Sequence, residues 1–323
     1  MNYSSPSIVH IFISLFLIIS SGACTSTGQH SPIDDLHTVK DIEGFVHQLG
    51  PQYKHFTVNQ SLYFEHPNCR QIVQSLQIKP WMKSDVDGNG YQDLIIHSRW
   101  QQTNYLVTLM VFPKEVYRLK IMDDGGCNCA RIIKTHPQSL IHFFNFNQTL
   151  YQKTWSEMVS FSHQFHHLPT QLRNQYQDTL TYKFGDIIEY NPSFKALEID
   201  SLHFKTMRCF GHCPIFEMSI SEDGSATYRA IQDVLRKGRF QAKIDRKQFQ
   251  NIKSLLSYIQ VDRLNNRYQQ EGLVDPATVL TIVFKNGVKK TITDTNYQGT
   301  RGLGRLYDLL IDLRKTQQWK KIE

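Results

Sequence analysis

Apolar positions follow a helical period in three places along this chain and a strand period in most others. Leu36, Val39, Ile42, Phe45, Val46 and Leu49 recur every three or four residues, which predicts a helix over Asp34–Leu49 stopped by Gly50-Pro51. Phe249, Ile252, Leu255, Leu256 and Ile259 make a second stripe, behind Asp245 as N-cap. Leu303, Leu306, Leu309, Leu310 and Leu313 make the third, in a helix beginning at Thr300 or Gly302. Extended segments are predicted at Phe56–Phe64, Leu94–Ile96, Asn104–Phe112, Val116–Met122, Ala130–Lys134, Leu140–Phe146, Thr179–Phe184 and Asp186–Tyr190, with a further short element at Cys69–Leu76. Past the break at Asn191-Pro192-Ser193 the pattern continues through Ala196–Met207, Pro214–Ser221, Ser225–Ile231, Arg239–Ile244, Val279–Phe284 and Val288–Thr293. The last two flank Asn286-Gly287, the favoured dipeptide of a two-residue type I′ hairpin.

This order predicts an α+β protein. A mostly-β meander domain of roughly five strands with one helix comes first; a C-terminal antiparallel sheet with two helices on one face follows. The 323 residues suffice for two domains, and 40% hydrophobic against 20% charged residues supports packed cores. The expected division is a signal peptide at 1–23, a tether at 24–33, an N-terminal domain at 34–191 and a C-terminal domain at 196–323.

The N-terminus sets the compartment. Ile8–Ile19 is almost wholly apolar and too short to span a bilayer comfortably. Ser20-Ser21-Gly22-Ala23-Cys24 follows and resembles a bacterial lipobox, in which Cys24 is acylated and becomes the new N-terminus. Ser21 stands where Leu is usual and no Lys or Arg precedes the apolar run, so an ordinary secretory signal is the other reading. Both readings export the chain. Thr25, not Asp, follows the cysteine; by resemblance to lipoprotein sorting, this implies an outer-membrane lipoprotein facing the periplasm, held to the membrane by its lipid.

Net charge is +7, compatible with an anionic partner, but the basic residues are spread along the chain. The absence of a recognisable binding motif argues against nucleic acid. The run Arg236-Lys237-Gly238-Arg239, with Lys243, Arg246 and Lys247 beyond it, is either a solvated face or a contact for an anion.

The sharpest chemical pattern is Asp85-Val86-Asp87-Gly88-Asn89-Gly90-Tyr91-Gln92-Asp93. Asp85, Asp87, Asn89 and Asp93 place side-chain oxygens at loop positions 1, 3, 5 and 9; Tyr91 offers a backbone carbonyl at 7, and Gly90 lets the loop turn. Such an oxygen ring suits calcium in a structural role. Ile96 stands where an EF-hand has its bidentate Glu, and the loop resembles instead the calcium loops of integrin-type propeller repeats, though its single copy excludes a propeller. A plain turn without an ion is the competing reading. His163 and His167 share one face at helical spacing, without the carboxylate of a zinc-protease motif.

Export also governs the cysteines. Cys209 and Cys213 are close enough for a small-loop disulfide, and Cys69 can pair with Cys127 or Cys129. The C-x-C pair Cys127–Cys129 could otherwise hold a soft metal.

The segment Arg208-Cys209-x-Gly211-x-Cys213-Pro214-x-Phe216, followed by a short strand, Asp223-Gly224 and an aromatic-bearing strand, resembles an uncharacterised domain family of bacterial proteins, often lipoproteins. The resemblance runs from Leu202 to the C-terminus. It implies a domain boundary and brings no activity. Function is therefore expected to be non-enzymatic: an envelope lipoprotein whose second domain binds an envelope protein or glycan. The alternative is a thiol-based or hydrolytic periplasmic enzyme with its site near Cys209–Pro214.

Overall fold

The structure, a computed structural model, describes residues 29–64, 67–100, 103–124, 128–145, 177–207, 214–232, 234, 237–268, 278–295 and 297–322. The expectations for the signal segment, Cys24, Cys127, His163, His167 and the Cys209–Cys213 loop fall on residues outside this set. No helix among the described residues is long and apolar enough to cross a membrane.

The chain is α+β. Its first helix, α1 (Val39–Gln48), begins five residues later than the apolar period suggests. Thr38 and Asp41 form a capping box: Thr38 Oγ1 accepts from the Asp41 N–H at 3.2 Å and the Asp41 carboxylate accepts from the Thr38 N–H at 2.7 Å. The residues ahead of it are already packed, with Ile33 fully buried. Phe56–Phe64 forms no strand. Its ladder contact with the sheet is one isolated bridge, Val58 to Ser98, since Asn59 Oδ1 accepts from the Tyr63 N–H at 3.3 Å and curls the chain into a turn. The short element after it is a helix, α2 (Pro67–Ser75).

Two four-stranded antiparallel meanders follow. The first comprises β1 (Trp81–Ser84), β2 (Asp93–Trp100), β3 (Thr103–Phe112) and β4 (Val116–Asp124) in that order. The second comprises β5 (Asn128–Ile133), β6 (Leu140–Asn145), β7 (Gln177–Lys183) and β8 (Asp186–Glu189). Period-2 alternation gives each sheet two buried faces. Ile95, Leu106, Met110 and Met122 of the first pack on Ala130, Ile141, Phe143, Leu180 and Ile187 of the second. The outer face of the first sheet is covered by Ile42 and Val46 of α1, and that of the second by Cys69 and Ile72 of α2. The expected five-strand meander is thus eight strands in two sheets. The near-continuous burial of β3 and β6 is what a strand sandwiched on both sides requires.

The C-terminal sheet has eight strands: β9 (Ile199–Thr206), β10 (Ile215–Ser221), β11 (Ser225–Gln232), β12 (Gly238–Lys243), β13 (Arg267–Tyr268), β14 (Thr278–Phe284), β15 (Lys289–Asp294) and β16 (Lys320–Lys321). Their spatial order is β13-β15-β14-β9-β10-β11-β12-β16, antiparallel except for the two-residue β13–β15 pair. Helices α3 (Arg246–Tyr258) and α4 (Arg301–Thr316) both lie on one face. Ile252, Leu255 and Leu256 of α3 and Leu303, Leu306, Leu310 and Leu313 of α4 close over Phe204, Phe216, Met218, Leu280 and Ile292. Asp245 caps α3 through the Lys247 and Gln248 N–H groups, both at 3.0 Å, and Thr300 caps α4 through Leu303 at 3.1 Å.

The β14–β15 hairpin turns differently from its expected form. The Gly287 N–H reaches the Phe284 carbonyl at 2.8 Å and the Phe284 N–H the Val288 carbonyl at 2.9 Å, so the loop has three residues, Lys285-Asn286-Gly287. Gly287 alone among them takes a positive φ, 81°, whereas a type I′ turn needs two such residues.

Candidate functional site

The Asp-rich loop joins β1 to β2. Gly88 and Gly90 take φ of 75° and 91°, and these left-handed residues fold the loop back on Asp85. Asp85 Oδ1 accepts from the Gly88 N–H at 2.7 Å and the Asn89 N–H at 3.1 Å, and its Oδ2 from the Gly90 N–H at 2.8 Å. Asp93 begins β2 fully buried; its two oxygens accept from the N–H groups of Val86 and Val111, each at 2.8 Å. Asp85, Asp87 and Asp93 each bring one oxygen within 4.8 Å of the others. Burial pushes Asp93 up to about 8 and Asp87 up to about 6, and neighbouring carboxylates add to both.

This donor set is all carboxylate oxygen, and a bound cation would favour the ionised form that burial disfavours. Two ligands on opposite sides of a calcium ion lie about 4.8 Å apart, so the spacing fits such an ion. Asn89 sits in the same loop, but its amide is engaged: Oδ1 accepts from the Tyr91 N–H at 2.8 Å, and Nδ2 donates to Asp87 at 2.9 Å and to the Val111 carbonyl at 2.7 Å. Ile96, at the twelfth position, is buried against α1 in the core.

The cysteine corner is apolar. Cys69 Sγ and Cys129 Sγ lie 3.1 Å apart and fully buried beneath α2, in contact but not joined by a bond of about 2.05 Å. Of the two pairings open to Cys69, the one with Cys129 is therefore not formed. Burial raises the Cys129 thiol well above its usual range, which removes thiolate reactivity from this corner.

A second feature went unrecognised in the sequence. Both helices of the C-terminal sheet lie on one face, and among the described residues nothing covers the opposite face. Strand register organises that face into rows running across the strands. One row reads Thr291, Thr281, His203, Ser219, Thr227, Gln241 and Lys320, each paired with the next on the neighbouring strand. Every member is a hydrogen-bonding side chain. Thr281 and Thr291 meet at 3.1 Å, and His203 Nδ1 and Ser219 Oγ at 2.9 Å. The adjacent row reads Arg267, Thr293, Val279, Lys205, Glu217, Arg229 and Arg239. Glu217 is bracketed by Lys205 at 3.3 Å and Arg229 at 3.6 Å. Lys289 and Lys243 extend the basic character on the other side of the hydroxyl row; Lys243 also meets Asp223 at the rim, at 2.7 Å. The alternation of these strands was legible. Which polar positions fall side by side was not, because register between strands distant in sequence is set by the folded sheet.

No curated protein matches the chain. Residues 200–314, from β9 to near the end of α4 and so including most of this face, match the family described as a domain of unknown function (DUF6438).

Proposed function

We propose that this protein is a non-enzymatic, lipid-anchored envelope component that works by binding, with the uncovered face of the C-terminal sheet as its contact surface. The observation that carries the reading is the one-sided packing of that sheet: α3 and α4 bury one face, and among the described residues the other is polar and open. On this reading Cys24 holds the chain to the outer membrane, facing the periplasm. Bridges at Cys69 and between Cys209 and Cys213 act as staples in that oxidising space. The partner is a protein or glycan of the envelope. The test is site-specific photo-crosslinking in cells. Probes at Thr227 and Gln241 are expected to yield adducts, while a probe at Lys253 on α3 yields none; equal labelling from both faces, or none from the sheet, defeats the reading. Cys24→Ser is expected to abolish acylation, read as the loss of lipid mass.

A second reading concerns the Asp-rich loop and is favoured by the three carboxylates within 4.8 Å. Asp85, Asp87 and Asp93 would hold a calcium ion that pins the β1–β2 connection, with Asn89 and the Tyr91 carbonyl in the same loop. The alternative of a thiol-based or hydrolytic enzyme rests on Cys209 and Cys213. It predicts rapid alkylation of both after mild reduction with the fold intact, whereas staples label only on unfolding.

A further inference from the structure

Resting on the reading of the open sheet face as a contact surface, we infer that the surface takes an acidic polysaccharide, laid across the strands along the hydroxyl row from Thr281 to Gln241 with its carboxylates toward Lys205, Arg229 and Arg239. At roughly 4.8 Å per strand, the eight strands make a surface about 34 Å wide, broad enough for an extended chain. Its chemistry is of two kinds in parallel rows. Thr281, His203, Ser219, Thr227 and Gln241 offer both donors and acceptors, which suits sugar hydroxyls. Lys205, Arg229 and Arg239 in the next row offer cations, with Glu217 the one acid among them. A polymer that carries hydroxyls along its length and carboxylates at intervals matches both rows.

Other occupants fit less well. The apolar side chains of the face are aliphatic: Val279, Val283, Ile215 and Ile231 are partly buried, and Ile322, beside Arg239 at the edge, is exposed. Insertion into a bilayer surface calls for an exposed apolar edge. The centre of a protein interface calls for aromatic residues or Met. A single-stranded nucleic acid calls for rings on which bases stack. On this face the described strands carry no Phe, Tyr, Trp or Met, and their one exposed aliphatic side chain, Ile322, stands at the edge rather than at the centre.

The test uses the full chain against polygalacturonate, neutral dextran, vesicles of equal parts phosphatidylcholine and phosphatidylglycerol, and a single-stranded oligonucleotide. Polygalacturonate is expected to bind, and to bind less as salt rises. Arg229→Glu combined with Arg239→Glu is expected to weaken it about tenfold, the equivalent of about 1.4 kcal/mol. Ser219→Ala with Thr227→Ala is expected to weaken it about threefold and leave the salt dependence unchanged, since lost hydrogen bonds carry no net charge. Lys253→Glu, on the helical face, is expected to change nothing. Equal binding to dextran, tighter binding to the vesicles or the oligonucleotide, or indifference to the sheet-face variants overturns the inference. Crosslinks from Thr227 and Gln241 to an envelope protein, without polygalacturonate binding, would overturn the polysaccharide and leave the contact surface standing.

Discussion

Glu189 Oε1 accepts a hydrogen bond from the backbone N–H of Arg301 at 2.6 Å. Its other oxygen takes the Gly302 N–H at 2.8 Å, so one buried carboxylate at the end of β8 holds the first turn of α4 across the junction between the two halves of the chain. A carboxylate there satisfies amides that have no partner inside the helix and meets the positive end of its dipole. The Arg301 guanidinium reaches the Met122 carbonyl at 2.7 Å, and Arg305 reaches the Phe184 carbonyl at 2.8 Å, which tightens the same junction. Gly302 is fitted to it. A Cβ there would lie 2.6 Å from Ile259 Cγ2 and 3.3 Å from Glu189 Oε2.

Glu189 lies outside the 200–314 match, so the helix of that domain is capped by a residue upstream of it. Glu189→Ala is expected to lower the unfolding free energy by about 1–3 kcal/mol, because two buried amides lose their acceptor. Urea denaturation checks this; an unchanged midpoint would show that the cap contributes nothing. A chain cut at residue 199 is expected to lose the same increment.

Acid should remove the His97 contribution to the N-terminal sandwich in a defined window. His97 Nε2, on β2, accepts the Ala130 N–H of β5 at 3.0 Å, joining the two sheets. Burial holds the imidazole near 4, against the partial opposition of the Pro80 and Lys79 carbonyls. The folded value lies below the free value of about 6.5, so the neutral ring is the stabilising form. Its contribution is complete above about 6.5 and declines as pH falls through 4, for a total of about 3 kcal/mol. His142, held near 3 mainly by burial and further by Arg131, adds loss in the same direction. Asp87 and Asp93, held above the usual carboxylate range, gain stability over the same window, so the effect of His97 is read as a difference: the gap between the urea midpoints of the parent and His97→Gln is expected to narrow from pH 7 to pH 4. Identical pH profiles for the two proteins would remove His97 from the account.

Tyr307 is fully buried, and its hydroxyl lies beside Asp294 and Thr278 without a hydrogen bond of ordinary geometry. An unsatisfied buried hydroxyl costs about 1–3 kcal/mol. Tyr307→Phe keeps the ring stacked on Phe204, at 5.5 Å between centroids, and deletes the polar atom. The variant is expected to be as stable as the parent, or more so by about 1 kcal/mol. A clear loss in calorimetry would mean that the hydroxyl is bonded, for instance through a buried water.

Calcium should raise the melting temperature if the Asp-rich loop holds it, by the mass-action relation between ligand concentration and affinity. At one hundred times the dissociation constant the gain is about 2.7 kcal/mol. Asp87→Asn, at the more exposed of the two perturbed carboxylates, is expected to abolish the shift while the apo protein still folds. A melting curve indifferent to calcium and to chelator retires the ion, and the loop is then a turn held by its own amides.

Some of this was readable in advance because it is local. The stripes of α3 and α4, the Asp245 cap, the β14–β15 hairpin and the carboxylate spacing of Asp85–Asp93 each depend on residues within a few positions of one another. Their periods and side-chain reach follow from covalent geometry. The start of α1 was misplaced because an apolar period continues through Leu36, whereas the Thr38–Asp41 box decides where the helix begins. Phe56–Phe64 was misread because Asn59 competes with the ladder for the backbone amides.

Along the chain alone, the residues determine the α+β class, most elements and the loop that could hold a cation. The folded arrangement alone decides that two meanders stack face to face, that Glu189 reaches the amides of a helix more than a hundred residues away, and that hydrogen-bonding side chains from seven strands line up beside a row of mostly charged ones. The reason is physical. Alternation tells each strand which side chains share a face, but only hydrogen-bonded register between distant strands tells which of those side chains become neighbours.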